Sequence, residues 1–180
     1  MIMSDLIEVR IHGRGGQGSV TAAELIAVAV FNEGKYSQAF PHFGVERRGA
    51  PVEAYARISD SPIRLRSQVY TPDVVIIQDS TLINSVDVFK GLKKDGLIII
   101  NSEKKDWPQL KGFKVVVVPV TKLALELLGR PATNTGLLAA FAKASGIIKI
   151  ESLIKAIEDK FKNKPEVLKK NIELINRIEI

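Results

Sequence analysis

Six consecutive residues, Gly13, Arg14, Gly15, Gly16, Gln17 and Gly18, satisfy the spacing G-x-G-x-x-G with a fourth glycine inside it. Glycine lets a backbone adopt positive φ and approach a ligand closely. A helix that follows adds unpaired N–H groups and the positive end of its dipole. Such a corner can cradle a phosphate, and the Arg14 guanidinium suits a phosphate or a carboxylate. Arg47 and Arg48 add two cations in the polar loop "PHFGVERRGAP", which leaves the carboxyl end of a strand, the edge where α/β proteins bind ligands. These arginines have two open uses: contact with a ligand, or bonds that hold loops or another subunit. No nucleophile–base pair stands out. His12 and His42 are the only histidines, and each is expected to be structural rather than catalytic.

A glycine pattern alone is weak support for a dinucleotide. A site of that kind needs a carboxylate at the end of the second strand to hold the ribose hydroxyls. Here that strand ends "QAFPHFG", without one. Glu33 has the usual spacing from the loop but belongs to the end of the intervening helix. A nucleic-acid reading fares worse, because one "RGG" between ordered apolar elements has no aromatic residues interleaved as stacking platforms.

Composition narrows the classes further. The chain has 180 residues, 46% of them hydrophobic and 26% charged, as in an ordinary globular protein of one domain spanning residues 1–180. The absence of cysteine excludes disulfides, thiolate metal sites and any iron–sulfur cluster held by this chain alone. Two histidines argue against a histidine-rich metal site. The net charge of +6 favours acidic or phosphate-bearing partners. Yet the lysines of "KIESLIKAIEDKFKNK" alternate with acids as on a solvated helix face, so no nucleic-acid partner is expected. No apolar run is long enough to span a bilayer, and "MIMSDLIEVR" lacks the order of a signal peptide, so no membrane partner and a cytoplasmic location are expected.

The elements that must position the loop are legible. "LIEVRIH" (6–12) reads as a strand and residues 19–33 as a helix with Ser19 as its cap and Gly34 as its stop. That helix is apolar nearly all round, which fits either tight packing of alanines on a sheet or a subunit interface. "KYSQAF" is a second strand. "VEAYARI" alternates strictly, with Val52, Ala54, Ala56 and Ile58 opposite Glu53, Tyr55 and Arg57, the pattern of a half-exposed strand. The turn "SDSP" then leads into "IRLR" as the second limb of an antiparallel hairpin. "DVVIIQD", "LIIIN" and "KVVVVP" read as central parallel strands covered on both faces, with a short helix between the first two. Helices follow at "TKLALELLG", at "TNTGLLAAFAKASG", on the stripe Leu153, Ile154, Ile157 and Phe161, and from Pro165 with Leu168, Ile172 and Ile175 inward. The expected architecture is a three-layer α/β/α sandwich. It has a mostly parallel mixed sheet, an inserted antiparallel hairpin and a helical C-terminus.

Taken together, "GRGGQG", "SQAFPHFGVERRGAPVEAYARI", "PIRLRS" and "PDVVIIQD" occur in an order that resembles the gamma subunit, or fused gamma domain, of 2-oxoacid:ferredoxin oxidoreductases. The resemblance covers roughly residues 8–140. It extends to the asparagine-led "TNTGLLAA" and so adds Asn134 to the candidate site, although Leu138-Ala139-Ala140 stands where Leu-Gly-Ala is usual. It implies a non-catalytic subunit of an enzyme that converts a 2-oxoacid and coenzyme A to acyl-CoA and carbon dioxide while reducing ferredoxin. Thiamine diphosphate and magnesium would then lie with the alpha and beta subunits, and the iron–sulfur clusters with the beta and delta chains. "ERRGAP" resembles the pyruvate and branched-chain versions, pyruvate first. On this resemblance, Gly13 to Gly18 with Arg47, Arg48 and Asn134 would bind coenzyme A phosphates or hold the subunit in its complex. A stand-alone Rossmann-like nucleotide-binding enzyme is the alternative.

Overall fold

In the computed structural model, residues 6–42 and 47–180 are described. The Phe43–Glu46 part of the "FGVERRGAP" motif therefore lies outside the described residues. The elements run β1 (Leu6–Arg14), α1 (Ser19–Asn32), β2 (Tyr36–Pro41), β3 (Pro51–Ser59), β4 (Val74–Ile77), β5 (Leu97–Asn101) and β6 (Lys114–Val118). Four helices follow: α2 (Val120–Leu128), α3 (Asn134–Ser145), α4 (Ile150–Phe161) and α5 (Pro165–Arg177). The sheet order is β2-β3-β1-β4-β5-β6. β4 pairs in parallel with β1, β5 with β4 and β6 with β5. β3 is antiparallel to both β1 and β2. The sheet is mixed and mostly parallel, as expected.

The antiparallel hairpin is present, but its limbs are β2 and β3 rather than 52–58 and 63–66. β3 has only two edges, and β1 and β2 occupy both. Residues 62–66 form no strand. The carbonyls of Leu65, Ser67 and Gln68 turn instead toward the Arg57 guanidinium. The half-exposed reading of β3 also gives way. Ala54, Ala56 and Ile58 are buried on one face, and Tyr55 and Arg57 are buried on the other. Alternation recorded the chemistry of the two faces correctly but not their exposure, because Arg57 is solvated by protein rather than water.

One face of the sheet carries the large core, in which Val9, Ile11, Val74, Ile76 and Ile99 meet Ala22, Ile26, Leu137, Phe141, Leu153 and Leu174. The alternate residues Val75, Ile77, Ile98 and Ile100 point the other way and pack with Leu82, Val88 and Leu110. That second cover is built from 3-10 turns at Ser80–Asn84 and Pro108–Leu110 and the loops around them. Small alanines bring α1 close to β3 and to α4, while its outer face leaves Val20, Val28 and Phe31 exposed. Among the described residues, no helix is long and apolar enough to cross a membrane.

Candidate ligand cleft at the glycine loop

The glycine loop joins β1 to α1, and each glycine answers to a particular neighbour. A Cβ on Gly13 would run into the Gln78 amide and the Ser19 hydroxyl, and one on Gly15 would run into the Arg47 carbonyl. Gly18 sits at φ 79°, beside the Asn134 amide, and supplies the cap position of α1. Ser19, expected to be that cap, is instead the first helical residue. Its hydroxyl donates to Gln78 Oε1 at 2.5 Å, so no side chain caps α1.

Two loops distant in sequence are laced together here. The Gly15 N–H donates to the Ala50 carbonyl at 2.9 Å, and the Gly49 N–H donates to the Gly15 carbonyl at 3.1 Å. This brings Arg47 and Arg48 against the glycine loop. The result is a cleft of 580 Å³ bordered by Gly15, Gly16, Gly18, Arg47, Arg48 and Glu53. A second cleft of 410 Å³ lies across Arg48, with Gly16, Gln17, Arg130, Asn134 and Asn171 on its walls. The residues singled out in the sequence, Gly13 to Gly18, Arg47, Arg48 and Asn134, thus come together.

Their roles differ. Arg14 is fully engaged: Nε donates to Asp79 Oδ2 at 2.7 Å, Nη2 to Thr81 Oγ1 at 2.8 Å and Nη1 to the Gly49 carbonyl at 3.1 Å. Burial works to raise the Asp79 carboxyl. The donors from Thr81 and Arg14 outweigh it and hold the group below its ordinary range, so it stays charged. Arg47 and Arg48 are exposed, and their guanidinium groups make no bond with the described residues.

Gln78, at the end of β4, was not anticipated. Besides receiving the Ser19 hydroxyl, its amide donates to the Gln17 carbonyl at 3.4 Å. Buried beneath the loop, that side chain ties the glycine turn to the first turn of α1. Glu33 closes the far end of α1 and accepts from the Lys149 N–H at 2.7 Å. That position, at the end of α1 away from the glycine loop, weighs against a dinucleotide.

A buried polar chain on β1 and β3 also escaped the sequence reading. Arg10 Nε donates to His12 Nε2 at 3.0 Å, and Arg10 Nη2 to the Lys90 carbonyl at 2.7 Å. His12 Nδ1 lies 3.7 Å from Glu53 Oε1. Tyr55 donates to Glu53 Oε2 at 2.8 Å and lies 3.2 Å from His42 Nδ1. Accepting from Arg10 places the His12 proton on Nδ1. Burial pushes the His12 pKa down to about 4; Glu53 pulls it up and Arg10 adds to the lowering. Only polar residues at alternate strand positions hinted at this arrangement.

The family model described as pyruvate ferredoxin/flavodoxin oxidoreductase matches residues 8–178. This chain belongs to that family. Within it, the similarity is to gamma-type subunits. The "Pyruvate/ketoisovalerate oxidoreductases common subunit gamma" of Thermococcus litoralis is 55% identical over 92% of this chain and 91% of its own. The "Pyruvate synthase subunit PorC" of Methanocaldococcus jannaschii is 55% identical over 88% of each chain. Among solved structures, the PORC subunit of pyruvate oxidoreductase from Thermotoga maritima superposes with a TM-score of 0.84 at 36% identity, over 97% of this chain and 95% of that one. A 2-oxoglutarate:ferredoxin oxidoreductase from Magnetococcus marinus shares the fold, with a TM-score of 0.80 at 22% identity, over 97% of this chain and 30% of that one.

The oxidoreductase gamma subunit is thus one part of a multi-subunit enzyme. It has no cysteine to ligate a cluster. Among its described residues, no group of three or more His, Cys, Asp or Glu could hold a metal ion. What this chain brings together at this edge is backbone N–H groups and guanidinium groups.

Proposed function

We infer that this chain is the non-catalytic gamma subunit of a pyruvate-using 2-oxoacid:ferredoxin oxidoreductase. Its contribution is the cleft at the glycine loop, which receives phosphate groups of coenzyme A. The observation that carries this reading is the pair Arg47 and Arg48, whose guanidinium groups have no partner among the described residues, beside the N-terminus of α1, which no side chain caps. Arg14 builds the wall they stand on by joining Asp79, Thr81 and Gly49. A guanidinium–phosphate hydrogen bond is charge-assisted and contributes roughly 1.5–3 kcal/mol. In the assembled enzyme, replacing both Arg47 and Arg48 with alanine should therefore raise the Michaelis constant for coenzyme A by about tenfold or more. The constant for the 2-oxoacid should be unchanged. An unaltered constant for coenzyme A would sink the assignment.

Substrate choice belongs to the companion chains. A relative named as common to pyruvate and ketoisovalerate oxidoreductases supports this, since a subunit shared by two enzymes cannot select between their substrates. Pyruvate is the first expectation and 2-oxoisovalerate the second. The alpha and beta chains would hold thiamine diphosphate and magnesium, and the beta and delta chains the clusters that pass electrons to ferredoxin. The outer face of α1, where Phe31 is 74% exposed beside Val28, is suited to docking one of them. Native mass spectrometry of the complex from its host should find these chains travelling with this one. Isolation as a solitary monomer would contradict the reading.

A further inference from the structure

The two clefts at the glycine loop are not independent. Gly16, Gly18 and Arg48 border both, so the 580 Å³ cleft meets the 410 Å³ one across shared walls. Coenzyme A, as placed above, occupies the larger cleft and leaves the smaller one idle.

Their chemistry differs. The larger has the apolar Val20 and Val52 among its walls beside Arg47, and one carboxylate, Glu53. The smaller has Arg130 and Asn134 beside Arg48, and no acidic residue among its described walls. Arg130 is exposed, and its guanidinium has no partner among the described residues. Arg10, Arg14, Arg57 and Arg177, by contrast, all donate to protein groups. Two cations on one cleft without a carboxylate repel each other, and an anion between them removes that cost.

The backbone holds Arg130 in place although its side chain is free. α2 ends at Gly129, at φ 68°, whose N–H donates to the Leu125 carbonyl at 3.1 Å. Pro131 follows with φ fixed by its ring, and the Ala132 N–H closes the turn onto the Arg130 carbonyl at 2.8 Å. Asn134 adds a neutral donor. Its Oδ1 accepts from the Thr135 N–H at 3.0 Å, and its Nδ2 hydrogens have no acceptor among the described residues. A Cβ on Gly18 would lie 2.9 Å from that nitrogen. Asn171, on the same wall, is spent inside the fold on Thr135 and Val167.

Coenzyme A carries two separate anionic groups: a diphosphate leading to the pantetheine arm, and a lone phosphate on the ribose 3′ oxygen. We propose that the smaller cleft receives the 3′-phosphate, with Arg130 as the residue that recognises it and Arg48 shared with the diphosphate in the larger cleft. Resting on the coenzyme A reading, this makes Arg130 the determinant of preference for coenzyme A over 3′-dephospho-coenzyme A, which keeps the diphosphate alone. The apolar walls of the larger cleft then accommodate the pantetheine arm. The 3′-phosphate is remote from the reacting thiol, so Arg130 contributes to binding rather than to turnover.

Steady-state kinetics of the assembled enzyme with each of the two ligands tests this. In the parent, the Michaelis constant for dephospho-coenzyme A should exceed that for coenzyme A by about tenfold or more, the loss expected when charge-assisted hydrogen bonds are removed. Arg130→Ala should raise the coenzyme A constant by a similar factor, leave the dephospho-coenzyme A constant within about twofold, and leave kcat unchanged with both. Arg130→Lys should keep part of the preference, because an ammonium retains the charge but not the planar fork. Arg47→Ala, at a residue that borders only the larger cleft, should raise both constants alike and preserve their ratio. Thermal melting of Arg130→Ala should match the parent, since no side-chain bond to a described residue is lost. If Arg47→Ala raises both constants while Arg130→Ala leaves their ratio as in the parent, the 3′-phosphate is bound elsewhere and Arg130 loses its role, with the larger cleft untouched. A parent that does not distinguish the two ligands overturns the proposal in the same way. If no variant, the Arg47–Arg48 double included, moves the coenzyme A constant, the reading of the larger cleft falls as well.

Discussion

Arg10, Arg14 and Arg57, on the strands, stand against Arg47 and Arg48, on a loop. The first three are consumed by the fold. Arg57 alone donates to Glu8, Gln38 and the carbonyls of Leu65, Ser67 and Gln68, and lies 5.0 Å from the centre of the Phe40 ring. Arg14 ties three loops to one another, and Arg10 anchors the segment at Val88 and Lys90. Arg47 and Arg48 make no comparable bonds to the described residues. The same side chain is scaffold in one region and free charge in the other. Position relative to backbone carbonyls and carboxylates decides which.

If that division is right, the largest effect belongs to Arg57. Its side chain is 1% exposed, and its partner Glu8 is 13% exposed. Removing one member of a buried ion pair leaves the other charged and unsolvated, which typically costs about 3–5 kcal/mol. Arg57→Ala should lose an amount of that order in denaturant unfolding. Arg57→Lys should recover only part of it, because an ammonium cannot replace the planar fork. A loss below roughly 1 kcal/mol would mean that water reaches the site and that the carbonyl cage is not what holds the 65–68 segment.

The next effect lies in the Arg10 chain and depends on pH. His12 has a pKa of about 4 in the folded chain, against 6.5 for the unperturbed group. The fold favours the neutral ring, so the stabilisation is fully present above pH 6.5 and is lost as pH falls from there through 4. Glu53, Arg10 and Asp87 are the charged groups acting on it. The loss at low pH should approach about 3 kcal/mol at 1.36 kcal/mol per pKa unit. Many carboxylates titrate in the same range, so the diagnostic quantity is the difference between the parent and His12→Gln. That difference should vary across pH 6.5 to 4 and level off above it. A constant offset would show that His12 does not titrate with folding.

The arginine comparison also explains what the sequence made legible. β4, β5 and β6 could be placed because Val74–Ile77, Leu97–Asn101 and Lys114–Val118 are apolar on both sides, and only a strand covered on both faces needs that. The strand–loop–helix corner at Gly13–Gly18 was visible because glycine there is a backbone requirement, local by nature. The status of each arginine was not local. Arg14 and Arg47 look alike in sequence, and what separates them is Asp79 and Thr81, more than sixty residues from Arg14. The burial of β3 depends likewise on carbonyls from 65–68. Pattern reports what a side chain is, and tertiary neighbours decide whether it is satisfied.

The smallest expected effect is the sharpest test of the comparison. Replacing Arg47 and Arg48 together removes two positive charges from an exposed loop without breaking a side-chain bond to any described residue. Exposed substitutions of this kind usually fall within about 0.5 kcal/mol of the parent. Removing cations from a chain of net charge +6 slightly relieves self-repulsion, which biases the change toward stabilisation. Denaturant unfolding of the double variant should therefore overlay the parent curve or shift marginally upward, and more so at low salt, where the repulsion is less screened. A loss of roughly 2 kcal/mol would place these two arginines with Arg14 as loop scaffold. A tenfold rise in the coenzyme A constant alone could not have told the two apart, because a collapsed loop weakens a ligand as readily as a missing charge does. Unchanged stability is what makes the kinetic result an argument about contact.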